Sequence, residues 1–133
     1  MTSSSPPLRL LVVDDEPAIV GLLETMLKDI SKEIVVETSN DGYDACVKAG
    51  ILVPDIILLD IKLPYTDGFE LCRSIRNNAE TKHAKIIVIS GVLDEEKLRK
   101  LERFSPIEVM AKPFDLDQLG NKVRILLEIG KKH

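Results

Sequence analysis

The sequence predicts one α/β domain built on a doubly wound parallel sheet, and three observations carry that expectation. Short apolar runs rich in β-branched residues recur five times along the 133 residues. Segments with helical hydrophobic spacing lie between and after them. No linker and no internal repeat interrupts the alternation.

The elements follow in order. "LRLLVV" (8–13) is almost wholly apolar, as a strand covered on both faces should be. Ile19, Leu22, Leu23, Met26, Leu27 and Ile30 then recur at i, i+3, i+4 and i+7, which predicts a helix beginning near Pro17. "EIVVET" (33–38) is the second strand, and a weaker helix over 42–49 should stop at Gly50. "DIILL" (55–59) is the third strand. Asp67-Gly68 opens a helix over 68–77, and "KIIVIS" (85–90) is the fourth strand. Asp94 opens a helix over 95–104, mostly charged, with Leu98 and Leu101 as a narrow apolar stripe. Its i, i+4 pairs are Glu95–Arg99 and Glu96–Lys100. "IEVMA" (107–111) is the fifth strand. Leu116, Leu119, Val123, Leu126 and Leu127 mark the last helix. Right-handed crossovers place such helices on both faces of the sheet.

Composition narrows the function classes. At 44% hydrophobic and 30% charged, the chain reads as globular and soluble, and with five aromatics its core rests on Leu, Ile and Val. No apolar stretch nears the roughly 20 residues that span a bilayer. The opening "MTSSSPPLRL" lacks the apolar core of a signal peptide and reads as a flexible leader over 1–7. A domain over 8–129 and a short basic tail over 130–133 follow. Cys46 and Cys72 lack metal-ligand spacing and read as reduced, semi-buried thiols of a cytoplasmic protein. A net charge of −4 argues against nucleic-acid binding by the domain as a whole. Tyr43, Tyr65 and His83 read as surface or loop residues without a role.

In open parallel sheets the ligand site lies beyond the C-terminal strand ends. Here those ends carry Asp14 and Asp15, then Asp60, then Ser90, then Lys112 ahead of Pro113. Taken singly, each has a bland reading: Asp14 and Asp15 as caps of the helix at Pro17, Asp60 as a loop residue, Ser90 as a turn hydroxyl, Lys112 as a surface lysine. Their coincidence at consecutive strand ends points to chemistry. Two carboxylates about 4 Å apart repel by roughly 4 kcal/mol at an effective dielectric near 20. Three of them need more than one lysine, and a divalent cation with oxygen ligands, Mg²⁺ foremost, supplies the rest. Such sites suit phosphoryl transfer, with a carboxylate nucleophile forming an aspartyl phosphate.

The segments "LVVDDEP", "PDIILLDIKLPYTDGFELC", "KIIVISG" and "AKPF" resemble, in order and separation, the receiver domains of response regulators in two-component signalling. The resemblance covers about residues 8 to 129. It implies a flavodoxin-like five-stranded parallel sheet of order 2-1-3-4-5 flanked by five helices. It also implies that Asp60 is the phosphoacceptor, assisted by Lys112 and by the Ser90 hydroxyl. Asp15 and Asp60 would bind Mg²⁺, with Asp14 acting through water and Lys62 through its backbone carbonyl. The Lys112–Pro113 bond would be cis. The phosphoryl donor would be a sensor histidine kinase or a histidine phosphotransfer protein. A downstream output domain or target protein would read the conformational change. Catalysis would be limited to self-phosphorylation and autodephosphorylation, with no membrane association; neither cognate kinase nor oligomeric state is fixed.

Three positions depart from the family pattern. Val109 stands where many members carry Tyr or Phe, Pro106 lies in "FSPIE" where a Gly-Ala pair is common, and Lys62 replaces a frequent Met. An alternative function is a receiver-like interaction module that does not use phosphorylation. A haloacid dehalogenase-type phosphatase would want Asp at position 62. A flavodoxin-like cofactor binder would want a Gly- and hydroxyl-rich loop where this chain has "DDEPA".

Overall fold

The central strand explains the architecture. β3 (Ile56–Asp60) is buried along its whole length. It pairs in parallel with β1 (Arg9–Val13) on one side and β6 (Lys85–Ser90) on the other. β2 (Val35–Ser39) adds to β1 and β7 (Ile107–Ala111) to β6, both parallel. The order β2-β1-β3-β6-β7 is thus the expected 2-1-3-4-5 once two minor strands are set aside. Those two, β4 (Lys62–Leu63) and β5 (Thr66–Asp67), form a small antiparallel pair after β3 that the sequence did not suggest. This computed structural model describes residues 8–63, 66–91 and 94–131.

Alternation along the strands sorts the core into two layers, because successive side chains point to opposite faces. Leu11, Val13, Ile57, Leu59, Ile86 and Val88 share one face. There they meet α2 (Gly42–Leu52), α3 (Gly68–Asn77) and α4 (Glu95–Glu102). Leu10, Val12, Ile56, Leu58, Ile87 and Ile89 share the other face. They meet α1 (Pro17–Ile30) through Leu23 and Leu27, and α5 (Leu116–Lys131) through Leu119 and Val123.

Helix boundaries follow local chemistry, with two corrections. Asp41, Asp67 and Asp94 cap α2, α3 and α4 by accepting backbone N–H bonds. α1 begins at Pro17 with Glu16 at the cap position and no side-chain cap bond, so neither Asp14 nor Asp15 serves as its cap. α2 does not stop at Gly50. It continues through Ile51 and Leu52 and ends at Val53, whose φ of 51° is left-handed. Pro54, which disfavours helical backbone in the residue before it, enforces the stop. α4 ends at Glu102 rather than 104, and of its stripe Leu101 is buried while Leu98 remains 38% exposed. Glu96–Lys100 closes at 3.7 Å, and Lys100 also sits 5.4 Å from the Phe69 ring centroid.

Further contacts tie the layers together. Arg76 of α3 donates to four carbonyls: Phe104, Lys82, Ala84 and Pro106. It thereby clasps the segments entering β6 and β7. The cysteines part company, Cys72 being buried and Cys46 exposed, so neither is semi-buried. Burial pushes the Cys72 thiol up to about 12. Tyr43 and His83 are exposed, and Tyr65 lies outside the described residues.

Candidate functional site

The parallel register brings the predicted residues to one edge. β1 runs through Val13 into Asp14, whose N–H donates to the Ser39 carbonyl at 3.0 Å and so prolongs the β1–β2 ladder. β3 ends in Asp60, opposite Ile89. β6 ends in Ser90, opposite Ala111. The Lys112 N–H then donates to the Ser90 carbonyl at 2.8 Å, which sets Lys112 beside the hydroxyl-bearing residue. The Lys112–Pro113 bond is cis, as the resemblance implied, and Ser105–Pro106 is cis as well.

Lys112 joins the carboxylates. Its Nζ lies 2.9 Å from Asp60 Oδ2, 3.4 Å from Asp14 Oδ2 and 3.5 Å from Glu16 Oε1. The second oxygen of Asp60 accepts the Lys62 N–H at 3.0 Å, and Asp14 Oδ1 accepts the Glu16 N–H at 2.9 Å. Asp14, Asp60 and Ser90 are buried, whereas Asp15, Glu16 and Lys62 are exposed. The site is therefore a buried floor with a wet rim. Lys62 presents its amide to Asp60 while its residue faces solvent.

Electrostatics show what this arrangement costs. Burial raises the pKa of Asp14, and the Asp60 charge adds to that, against the Glu16 N–H and Lys112. Burial also opposes the Lys112 charge, but hydrogen bonding and attraction to Asp60, then Asp14, win and push it up to about 12. Asp14, Asp15, Glu16 and Asp60 each offer an oxygen within 4.8 Å of the others. Four carboxylates against one ammonium leave excess negative charge, and an all-oxygen donor set suits a hard divalent cation. Glu16 was not singled out from sequence; its place directly after the acidic pair was the only signal.

Val109, one of the departures from the family pattern, and Gly68 each have a clear setting. Val109 is partly buried and packs against the core layer that includes Leu101. Gly68 approaches the chain leaving Asp60 so closely that an added Cβ would stand 2.5 Å from the Ile61 carbonyl oxygen. Beside Lys112, a groove of about 590 Å³ opens between α1 and the segment after β7, lined by Ile19, Leu22, Pro113 and Phe114.

Comparison with known proteins agrees with this geometry. Residues 10–124 match the response regulator receiver domain. Protein PilG of Pseudomonas aeruginosa is 33% identical over 93% of this chain and 90% of its own length. PhoP, the alkaline phosphatase synthesis transcriptional regulatory protein of Bacillus subtilis, is 36% identical over 90% of this chain. This chain spans only 48% of PhoP and 26% of the response regulator PleD of Caulobacter vibrioides. Among solved structures, the chemotaxis protein CheY4 of Vibrio cholerae superposes with a TM-score of 0.82 at 26% identity. That match covers 90% of this chain and 98% of CheY4. By fold, site and sequence, this chain belongs to the response regulator receiver domain family.

Proposed function

We propose that the protein is a Mg²⁺-dependent phosphoacceptor switch in which Asp60 takes a phosphoryl group from a phosphohistidine. The single observation that carries this reading is the Asp60 carboxylate at the end of a fully buried strand, bridged to Lys112 at 2.9 Å. A rigid strand end fixes the nucleophile, and positioning supplies most of the catalysis in such transfers.

In the transfer, an Asp60 oxygen attacks phosphorus as the P–N bond to the donor imidazole breaks, and the imidazole leaves and takes up a proton. Lys112 then exchanges its contact with Asp60 for one with a phosphoryl oxygen. The Ser90 hydroxyl donates to another, drawing on the end of β6. Asp15 and Asp60, the Lys62 carbonyl and, through water, Asp14 would hold Mg²⁺. The ion, when bound, neutralises charge on the transferring group. Differential contacts of Ser90 and Lys112 with the phosphoryl group would bias two conformations and so signal to an output domain or target protein. The apolar groove beside Lys112 offers a histidine kinase or phosphotransfer protein a surface next to the nucleophile. The work would be done in the cytoplasm. Among the described residues no helix is long and apolar enough to cross a membrane.

The test is incubation with Mg²⁺ and a small-molecule phosphodonor, followed by intact mass, with Asp60→Asn as control. Wild type should gain one phosphoryl group and the variant none. An unmodified wild type would favour the phosphorylation-independent interaction module. Equal gain by Asp60→Asn would move the acceptor elsewhere.

A further inference from the structure

Glu16 is the acidic residue of this site that neither the strand ladder nor the proposed cation accounts for. Its backbone is fixed at the start of α1. The N–H donates to Asp14 Oδ1 at 2.9 Å, and the carbonyl accepts the Val20 N–H at 3.0 Å. Its side chain is freer. The carboxylate is 60% exposed, and its contact with Lys112 Nζ at 3.5 Å is longer than those of Asp60 and Asp14. An ion pair so exposed is worth little and is readily exchanged.

The two exposed carboxylates beside the nucleophile face different ways. Asp15 lines a cleft of about 300 Å³ with Pro17, Thr38, Ser39 and Asn40, toward the end of β2. Glu16 lines the groove of about 590 Å³ with Ile19, Lys112, Pro113 and Phe114. A Glu16 oxygen nevertheless lies within 4.8 Å of an Asp60 oxygen. Glu16 thus stands where the groove opens onto the attacking atom. Asp115, which lines the same groove, is engaged at the start of α5, where it accepts the N–H groups of Asp117 and Gln118.

We infer, given the phosphoacceptor role proposed for Asp60, that Glu16 selects the phosphoryl donor by accepting a hydrogen bond from its leaving group. A donor that releases an N–H-bearing imidazole is favoured over one that releases a carboxylate.

In-line displacement puts the leaving group on the far side of phosphorus from the attacking oxygen. Asp60 is on the buried floor, so the far side is the wet rim that carries Glu16. Before transfer the phosphorus stands about 3 Å from the Asp60 oxygen, with the donor ring beyond it. A ring-protonated phosphoimidazole carries its N–H on the nitrogen opposite phosphorus, within reach of the Glu16 side chain. As Lys112 moves to a phosphoryl oxygen, Glu16 gives up its weak contact and turns to that N–H. An Asp60 lone pair forms the O–P bond, and the P–N electrons return to the nitrogen that carried phosphorus. The ring departs as neutral imidazole, its opposite N–H still held by Glu16, and the vacated nitrogen is open to a proton from water. Where the leaving group is acetate, no N–H is offered and negative charge grows beside Glu16 instead. One carboxylate therefore attracts one class of donor and repels the other.

The test is phosphoryl uptake by the full chain from phosphoimidazole and from acetyl phosphate, each at saturating Mg²⁺, followed by intact mass with Asp60→Asn as the blank. Glu16→Ala should slow uptake from phosphoimidazole about tenfold, the loss of a charge-assisted hydrogen bond, and leave uptake from acetyl phosphate unchanged or faster. Glu16→Gln, a neutral and weaker acceptor, should fall between wild type and Glu16→Ala. Both donors need the cation and Lys112, so their ratio cancels any effect of the variants on either. Equal slowing with both donors would overturn the inference and make Glu16 an aid to the cation or to Lys112. Unchanged uptake from phosphoimidazole would overturn it too, even with faster uptake from acetyl phosphate. A wild type that gains phosphate from neither donor would overturn the phosphoacceptor role itself, and the selection with it.

Discussion

Lys112→Met removes the ammonium that holds the acidic floor together while keeping a stem of similar length. The charge contributes measurably to folding. A rise in pKa from 10.5 to about 12, at about 1.4 kcal/mol per pKa unit, makes the charged form worth about 2 kcal/mol. Because the folded-state value is the higher one, this stability is fully present below pH 10.5 and is lost as pH rises through about 12. At neutral pH the variant forfeits all of it. The repulsion between Asp14 and Asp60 is common to both proteins and adds nothing to the difference. The expected loss is therefore about 2 kcal/mol in urea unfolding without divalent ions. Millimolar Mg²⁺ supplies positive charge at the same carboxylates and should narrow the gap between variant and wild type. A loss below about 1 kcal/mol, or a gap indifferent to Mg²⁺, would refute the electrostatic account.

Asp14→Asn should raise metal-free stability near neutral pH and blunt stabilisation by Mg²⁺. Since burial raises the Asp14 pKa, the ionised form costs stability, a cost absent below the ordinary aspartate range and growing as pH rises through the folded-state value. The advantage of the variant in urea titrations should accordingly vanish at acidic pH. Arg76→Ala breaks four charge-assisted bonds to carbonyls at once and should cost about 3 kcal/mol, allowing for non-additivity. Arg76→Lys, with a single point charge in place of the fork, should recover less than half of that by the same titration. Gly68→Ala drives a methyl group to within 3 Å of three backbone atoms of Ile61. It should displace the chain leaving Asp60, costing about 2 kcal/mol and slowing phosphoryl uptake measured by intact mass.

The inner strands β1, β3 and β6 were legible because burial on both faces leaves no alternative to continuous apolar runs, and the half-exposed edge strands β2 and β7 still carried enough β-branched residues to be read. "KIIVIS" and "IEVMA" occupy β6 and β7 residue for residue. Helix starts were legible wherever an Asp supplied a cap, as at Asp67 and Asp94. The end of α2 was not. A glycine is a frequent stop signal, but Gly50 adopts helical backbone here, and the stop comes from Pro54 acting on Val53. Local propensity lost to the chain direction needed to enter β3.

The site was legible for a different reason: its chemistry sits at strand ends, and parallel topology converts strand ends into neighbours. That rule placed Asp14, Asp60, Ser90 and Lys112 together without any contact being known. It could not place Glu16, because a residue one step past the strand gains its neighbours from the turn into α1 rather than from the ladder. Nor could it find Arg76, whose four partners are backbone carbonyls and leave no mark on residue type. The outward stripe of α2 escaped for the opposite reason, since Tyr43, Val47 and Ile51 have the periodicity of a core-facing helix and only the buried Ala45 and Ala49 reveal which side faces the sheet. Periodicity reports that a helix has an apolar face; which face the fold consumes, and which it leaves in solvent, is decided by the small residues that let the helix approach the sheet.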